Sequence, residues 1–467
     1  MRELRQFCEA QPWIPAVWRG LARTTSMGWY YAFARRNRAA LLMSSTSFAG
    51  SPQLTPPSPG SAGLLRSDRI LSVDLMRGIV MIIMALDHTR DYFSYLTFQA
   101  EDLSRTYGWL FFTRWITHFC APTFFFLAGT GAYLALGRGK TVGEISHFFW
   151  TRGLWLIFLE FTVLTFAWTF VPGQLVGFSV ISCLGACMIL MAGLTRLPVK
   201  WIAAFGIAMI ALHNLTDRLD PQQFGGFAWL WTLLHEPGFA MIPGMETGFL
   251  VLYTLVPWVG VMAAGYAFGA IVRRPPAERQ RWIYRIGAAA TASFVLLRAT
   301  GVYGNLAPGL MFGFQVSPGP WQHPPSAKLT IISFFNVAKY PPSLQYLLMT
   351  LGPMLVGLAA LDRLTQGGRL NALGRWTLVY GRVPLFYYVL HIFLIHLLAV
   401  AAALLFHQSA DWLLHGAFWT APNPPGYGHG LPFVYAMWAL VVVALYWPCA
   451  WFAALKARRK DWWLSYL

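Results

Sequence analysis

From residue 70 to the C-terminus, long apolar runs alternate with short polar stretches. A run of about 20 residues crosses roughly 30 Å of hydrocarbon as an α-helix. The pattern predicts spans at 72–92, 112–136, 151–171, 176–195, 200–215, 248–272, 282–300, 343–362, 383–406 and 432–456. A soluble fold cannot hide ten such runs. The expected fold class is all-α, a polytopic integral membrane protein with its transmembrane domain at 70–467.

The polar stretches alternate in charge. Arg138 and Lys140, then Arg196 and Lys200, then Arg273, Arg274, Arg279 and Arg281, then Arg363, Arg369 and Arg375, then Lys456, Arg458, Arg459 and Lys460 fall on one side. The stretches between them are nearly bare of Lys and Arg, with Arg105, Arg218, Lys328 and Lys339 as their basic residues. Basic loops stay in the cytoplasm, so this alternation places both termini there. Two of the outer loops, 216–247 and 301–342, are long and rich in Trp, Pro and Gly, which predicts folded segments that hug the interface and cap a site.

Residues 1–69 differ. Arg35, Arg36 and Arg38 precede a Ser/Pro/Gly-rich stretch at 44–63, a composition that cannot bury a core and predicts a disordered basic extension. Met43 is an alternative start.

Composition agrees with lipid. The chain is 57% hydrophobic and only 11% charged, well below the roughly 25% of soluble domains. Its net charge of +17 sits in short clusters between apolar runs rather than on one polar face, which argues against nucleic acid. The five cysteines, Cys8, Cys120, Cys183, Cys187 and Cys449, show no disulfide framework and no metal spacing. Cys183 and Cys187 read as small core residues.

The first span breaks the apolar rule with Asp74, Arg77, Asp87, His88, Arg90 and Asp91. At 100° per residue His88 returns to within about 20° of Arg77, and Asp74 and Asp91 lie within about 60°. A charged stripe on a spanning helix faces the bundle interior or a wet cavity. Asp74–Arg77 also reads as a simple helix-start ion pair, and His88 and Arg90 as interfacial anchors. Other spans offer partners: Arg114 and His118, four apart; Glu160 and Arg152 on the third; Arg382, Tyr387, Tyr388, His391 and His396 on the ninth. No helix carries a metal-type His pair, and no metal is expected.

These residues resemble a known family. The segment DLMRGIVMIIMALDH (74–88) is similar to the first helix of the transmembrane acyltransferase superfamily. Together with SVDLMRG (72–78), APTFFFLAG (121–129), KYPPSLQYLLMTLGP (339–353) and YGRVPLFYYVLH (380–391), it resembles the bacterial heparan-α-glucosaminide N-acetyltransferase catalytic-domain-like family over roughly 70–460. The resemblance implies acetyl (or a similar acyl) transfer from cytoplasmic acyl-CoA to a sugar or glycan acceptor outside a bacterial inner membrane. It implies His88 as base, with Asp87 or Asp91 orienting it, and Arg77, Arg152 and Arg382 on the CoA phosphates. Arg90, Arg114, Glu160, Tyr387 and His391 are left for the acceptor. A lysosomal member of the family uses a His in the loop after its first helix; residues 92–111 hold none, so His88 or His118 takes its place. A proton-coupled transporter using the same stripe as a relay is the competing reading, and homo-oligomerisation is left open.

Overall fold

A computed structural model describes residues 70–172, 177–241, 249–304, 309–311, 314–317, 319–415, 423–459 and 461–467. The chain divides into two units, Met1–Pro59 and Gly60–Leu467, and every described residue belongs to the second. The basic extension, the start at Met43 and Cys8 lie outside the described residues.

Helices occupy every predicted span. They are α1 (Leu71–Phe93), α2 (Gly108–Thr117) with α3 (Cys120–Leu136), α4 (Val142–Leu159) running through a π turn into α5 (Thr165–Thr169), α6 (Val180–Leu194) and α7 (Val199–Leu212). After a short helix α8 (Ala228–Leu234) and the paired strands β1 (Gly238–Ala240) and β2 (Phe249–Val251) come α9 (Leu255–Val272) and α10 (Pro276–Thr300). The strands β3 (Gly309–Met311) and β4 (Phe314–Ser317) and helix α11 (Ala327–Phe335) lead into α12 (Leu344–Leu364). The chain ends with α13 (Ala372–Arg382), α14 (Pro384–Leu405), the short α15 (Asp411–Leu414) and α16 (Leu431–Arg458). Among the described residues seven helices are long and apolar enough to cross a membrane. The protein is an all-α polytopic membrane protein. The other three predicted spans fall short for local reasons: α1 carries the charged stripe, α6 is 15 residues long, and α10 carries Arg285 and Arg298 among small residues of modest hydropathy.

The helix pattern departs from the expectation in several places. The third helix starts at Val142 rather than 151, because Thr141 and Glu144 form a reciprocal capping box. The sixth starts at Leu255 rather than 248, because Phe249–Val251 pairs with Gly238–Ala240. The stretch 363–382, expected to be a polar loop, contains α13.

That helix shapes the centre of the bundle. Gly78 and Gly381 let α1 and α13 touch through their backbones: a Cβ at Gly78 would overlap the Thr377 carbonyl, and one at Gly381 the Asp74 carbonyl. Helices α2, α3, α12, α14 and α16 also pack on α1, and sixteen of its 23 residues are buried. The helix with the most charge is thus the one the others surround, which answers the cost of holding ions in hydrocarbon. Cys183 and Cys187 are both fully buried in the core.

Candidate functional site

One end of α1 holds a dense ionic network. The Asp87 carboxylate accepts from Arg114 Nη1 and lies 3.0 Å from Arg90 Nη2, which also reaches Asp91 at 2.7 Å. Arg114 Nε donates to Glu101 at 2.8 Å, and His118 Nε2 lies 3.5 Å from the same oxygen. The four-residue spacing on α2 therefore does bring Arg114 and His118 to one partner. That partner, Glu101, comes from the loop after α1 and has no counterpart in the sequence reading. Its carboxyl is held well below the usual carboxylate range despite burial, chiefly by the Arg114 guanidinium and by His118. Asn336 Nδ2 donates to the Glu101 carbonyl at 2.8 Å, and Tyr346 donates to the His118 carbonyl at 2.8 Å. Buried Lys339 adds a further positive charge felt by Asp87, His88 and His118. The sequence placed Lys339 in an outer loop; only the chain's return between α11 and α12 carries it inside.

His88 points to the other flank of this network. Its ring lies 4.8 Å from Trp168, edge-on, 5.2 Å from His391 and 6.3 Å from Tyr388. Its Nδ1 is 4.0 Å from Asp91 Oδ2, and its side chain is 15% exposed. His391 stacks on Tyr387 at 5.2 Å and turns Nδ1 to the Tyr387 carbonyl at 3.1 Å, leaving Nε2 buried and unpartnered. The Tyr387 hydroxyl is also buried without a partner. The result is an imidazole held by aromatic rings, beside unsatisfied donors and acceptors. Such a site can receive a polar group and exchange a proton with it. Tyr388 was among the partners expected from the ninth span; Trp168 is a member that the sequence reading passed over, and its approach to His88 depends on how α5 crosses α1.

Glu160 is placed differently from its neighbours. It opens the π turn between α4 and α5, and its Oε2 accepts from the amides of Ile181 and Ser182 at 3.0 and 3.1 Å. It caps the N-terminus of α6, a favourable place for a carboxylate.

The opposite end of α1 is sparser. Arg77 pairs with Asp74 at 3.3 Å and donates to the Leu127 carbonyl at 2.6 Å. Arg152, within the field of Arg77, donates to the Ser465 carbonyl and stacks over Phe148 at 5.6 Å. Among the described residues no carboxylate pairs with Arg152. Arg382 follows Gly381 and so stands next to the Asp74 backbone. Between Arg77 and His88, about 16 Å along the helix, Val80, Met81 and Met84 are buried to 2%, 2% and 7% exposure. These buried side chains stand between the two ends.

The profile of the heparan-α-glucosaminide N-acetyltransferase catalytic domain matches residues 69–300. Through this segment the chain belongs to that family. No curated protein matches the chain. The N-acetyltransferase match runs from the start of α1 to the end of α10. It therefore takes in Arg77, His88, Arg114, His118, Arg152 and Glu160, while Lys339, Tyr388 and His391 come from beyond it. Membership in this N-acetyltransferase family makes the chain a membrane protein of acetyltransferase type.

Proposed function

We propose that the protein moves an acetyl group from acetyl-CoA, bound on the cytoplasmic side of a bacterial inner membrane, to the amine or hydroxyl of a sugar or glycan at the outer face, with both termini in the cytoplasm. The observation that carries this reading is the position of His88: on the most enclosed charged helix, against His391, Tyr388 and Trp168, with the Asp87–Arg114–Glu101 network beside it.

In this scheme His88 removes the proton of the acceptor as its nitrogen or oxygen attacks the thioester carbonyl. The new amide or ester forms, the carbon–sulfur bond breaks, and the proton leaves on the CoA thiol. Asp91 is the nearer carboxylate to the ring and stabilises the imidazolium; Asp87, tied to two guanidiniums, holds the network in place. Arg90, Arg114, Tyr387 and His391 contact the acceptor, and His118 is the substitute base. Transient acetylation of His88 is the two-step version of the same transfer. Arg152 and Arg77 fit the donor: positive charge without a matching carboxylate at Arg152 suits CoA phosphates, and Arg382 stands close by. Delivery of the pantetheine arm requires Met81 and Met84 to swing aside, a motion that unbranched thioether side chains allow.

The test uses the full chain in nanodiscs with radiolabelled acetyl-CoA and glucosamine-terminated acceptors. Wild-type protein should transfer label. His88→Ala should fold with the same thermal stability and transfer about 10²–10⁴-fold more slowly. Equal turnover by the two proteins would overturn the assignment.

A further inference from the structure

A second group of polar side chains gathers away from α1, where the segment after α7 folds back on its end. His235 is 3% exposed. Its Nε2 lies 3.1 Å from Asp217 Oδ1 and 3.1 Å from Thr216 Oγ1. Thr216 gives its own proton to the His213 carbonyl at 2.6 Å, so its oxygen accepts from the ring. Asp217 Oδ2 is occupied by Asn214 Nδ2 at 2.8 Å. Both neighbours of Nε2 are acceptors; the proton therefore sits on Nε2, and Nδ1 presents a lone pair. That Nδ1 is buried and has no partner, and neither does the buried indole N–H of Trp231. The two rings lie 5.2 Å apart. They line a cavity of about 290 Å³ whose other walls include Met209, Leu212, Leu234 and Val256. His213, also in the wall, turns its ring nitrogens to the carbonyls of Ile210 and Pro342.

One acceptor and one donor, close together above an apolar floor, select among ligands. A hydroxyl satisfies both, giving its proton to Nδ1 and taking one from Trp231. An ammonium has no lone pair for the indole. A phosphate is largely without a proton for Nδ1 at neutral pH, and its charge would stand near Asp217, which already holds the other nitrogen of the same ring. Leu212, in the cavity wall, is exposed, and in a membrane protein such an exposed apolar wall meets acyl chains.

We propose that this cavity binds the headgroup hydroxyl of a neutral, hydroxyl-bearing amphiphile arriving from the bilayer. The site stands apart from the acyl-transfer reading and does not depend on it. The experiment reconstitutes the full chain in phosphatidylcholine nanodiscs, whose headgroup has no hydroxyl. Three photoreactive probes carry a diazirine on a dodecyl chain: a β-glucoside, a phosphate and a primary ammonium. The glucoside should label the 208–235 region and the other two should stay at background. Trp231→Phe, which keeps the ring and removes one neutral hydrogen bond, should lower labelling about fivefold. His235→Ala should lower it about tenfold or more. Equal labelling by the three probes, or full labelling of Trp231→Phe, overturns the proposal. Trp231→Phe decides the matter even if His235→Ala does not fold.

Discussion

The two ends of α1 handle charge in opposite ways. At the His88 end, carboxylates and cations are buried together and answer one another: Asp87 with Arg90 and Arg114, Glu101 with Arg114 and His118. At the Arg77 end, Asp74 answers Arg77, but the guanidiniums also lean on backbone carbonyls, Arg77 on Leu127 and Arg152 on Ser465, and positive charge is in excess. A neutralised network is rigid and specific but expensive to interrupt. An excess of one sign over carbonyl partners is easily surrendered to a polyanion. The contrast fits a chemical end and a docking end on one helix.

Four substitutions break or sharpen this contrast. Asp87→Asn should do the most harm. It leaves Arg90 and Arg114 buried without their shared anion, a loss of about 3–5 kcal/mol readable as a fall in thermal midpoint. Because Arg114 also holds Glu101, the double change with Arg114→Gln should cost less than the sum of the two single changes; simple additivity would mean that the pair is not a unit. Next comes Met84→Trp, which overfills the packed stretch between the ends at about 1–3 kcal/mol. It should stop acetyl transfer while donor binding by the Arg77 end persists. Unchanged transfer would show that the arm takes another path. Arg152→Ala should weaken donor affinity about tenfold, which is about 1.4 kcal/mol, with kcat kept. A loss confined to kcat would move Arg152 out of the docking end.

The smallest effect concerns pH. The folded Glu101 carboxyl titrates below its unfolded value, so it binds protons less readily in the native state. Its contribution to stability is present above the unfolded glutamate pKa of about 4.3. That contribution is lost as pH falls from there toward the folded value. Glu101→Gln should flatten the acid limb of a stability–pH curve below about pH 4, by less than the Asp87 change. An acid limb identical to wild type would place the titration elsewhere.

The helices were legible because lipid imposes a one-dimensional rule: about 20 apolar residues per crossing, whatever the neighbours. The stripe on α1 was legible for the same reason, since six ionisable residues cannot face hydrocarbon. What the linear pattern did not disclose was partnership. Glu101 and Lys339 sit in segments that look like loops, and only the folding-back of those segments brings them to Arg114 and Asp87. Glu160 looked like a member of the cluster, and its carboxylate caps α6. Helix α13 was hidden because its apolar residues cover one face only, and its Gly381, normally read as a breaker, is what lets it lie against α1.

The glycine contact between α1 and α13 sets a measuring distance. Gly78 and His88 are ten residues apart, and so are Gly381 and His391. The leg on α1 is one continuous helix, whereas the other leaves α13 at Arg382, breaks at Val383 and continues in α14 to the point where the imidazoles meet 5.2 Å apart. The α1 leg rises about 15 Å, and the break at Val383 sets the height from which α14 brings His391 to meet His88. One residue added to either leg turns its ring by about 100° and lifts it about 1.5 Å, and the facing pair is gone though every side chain survives.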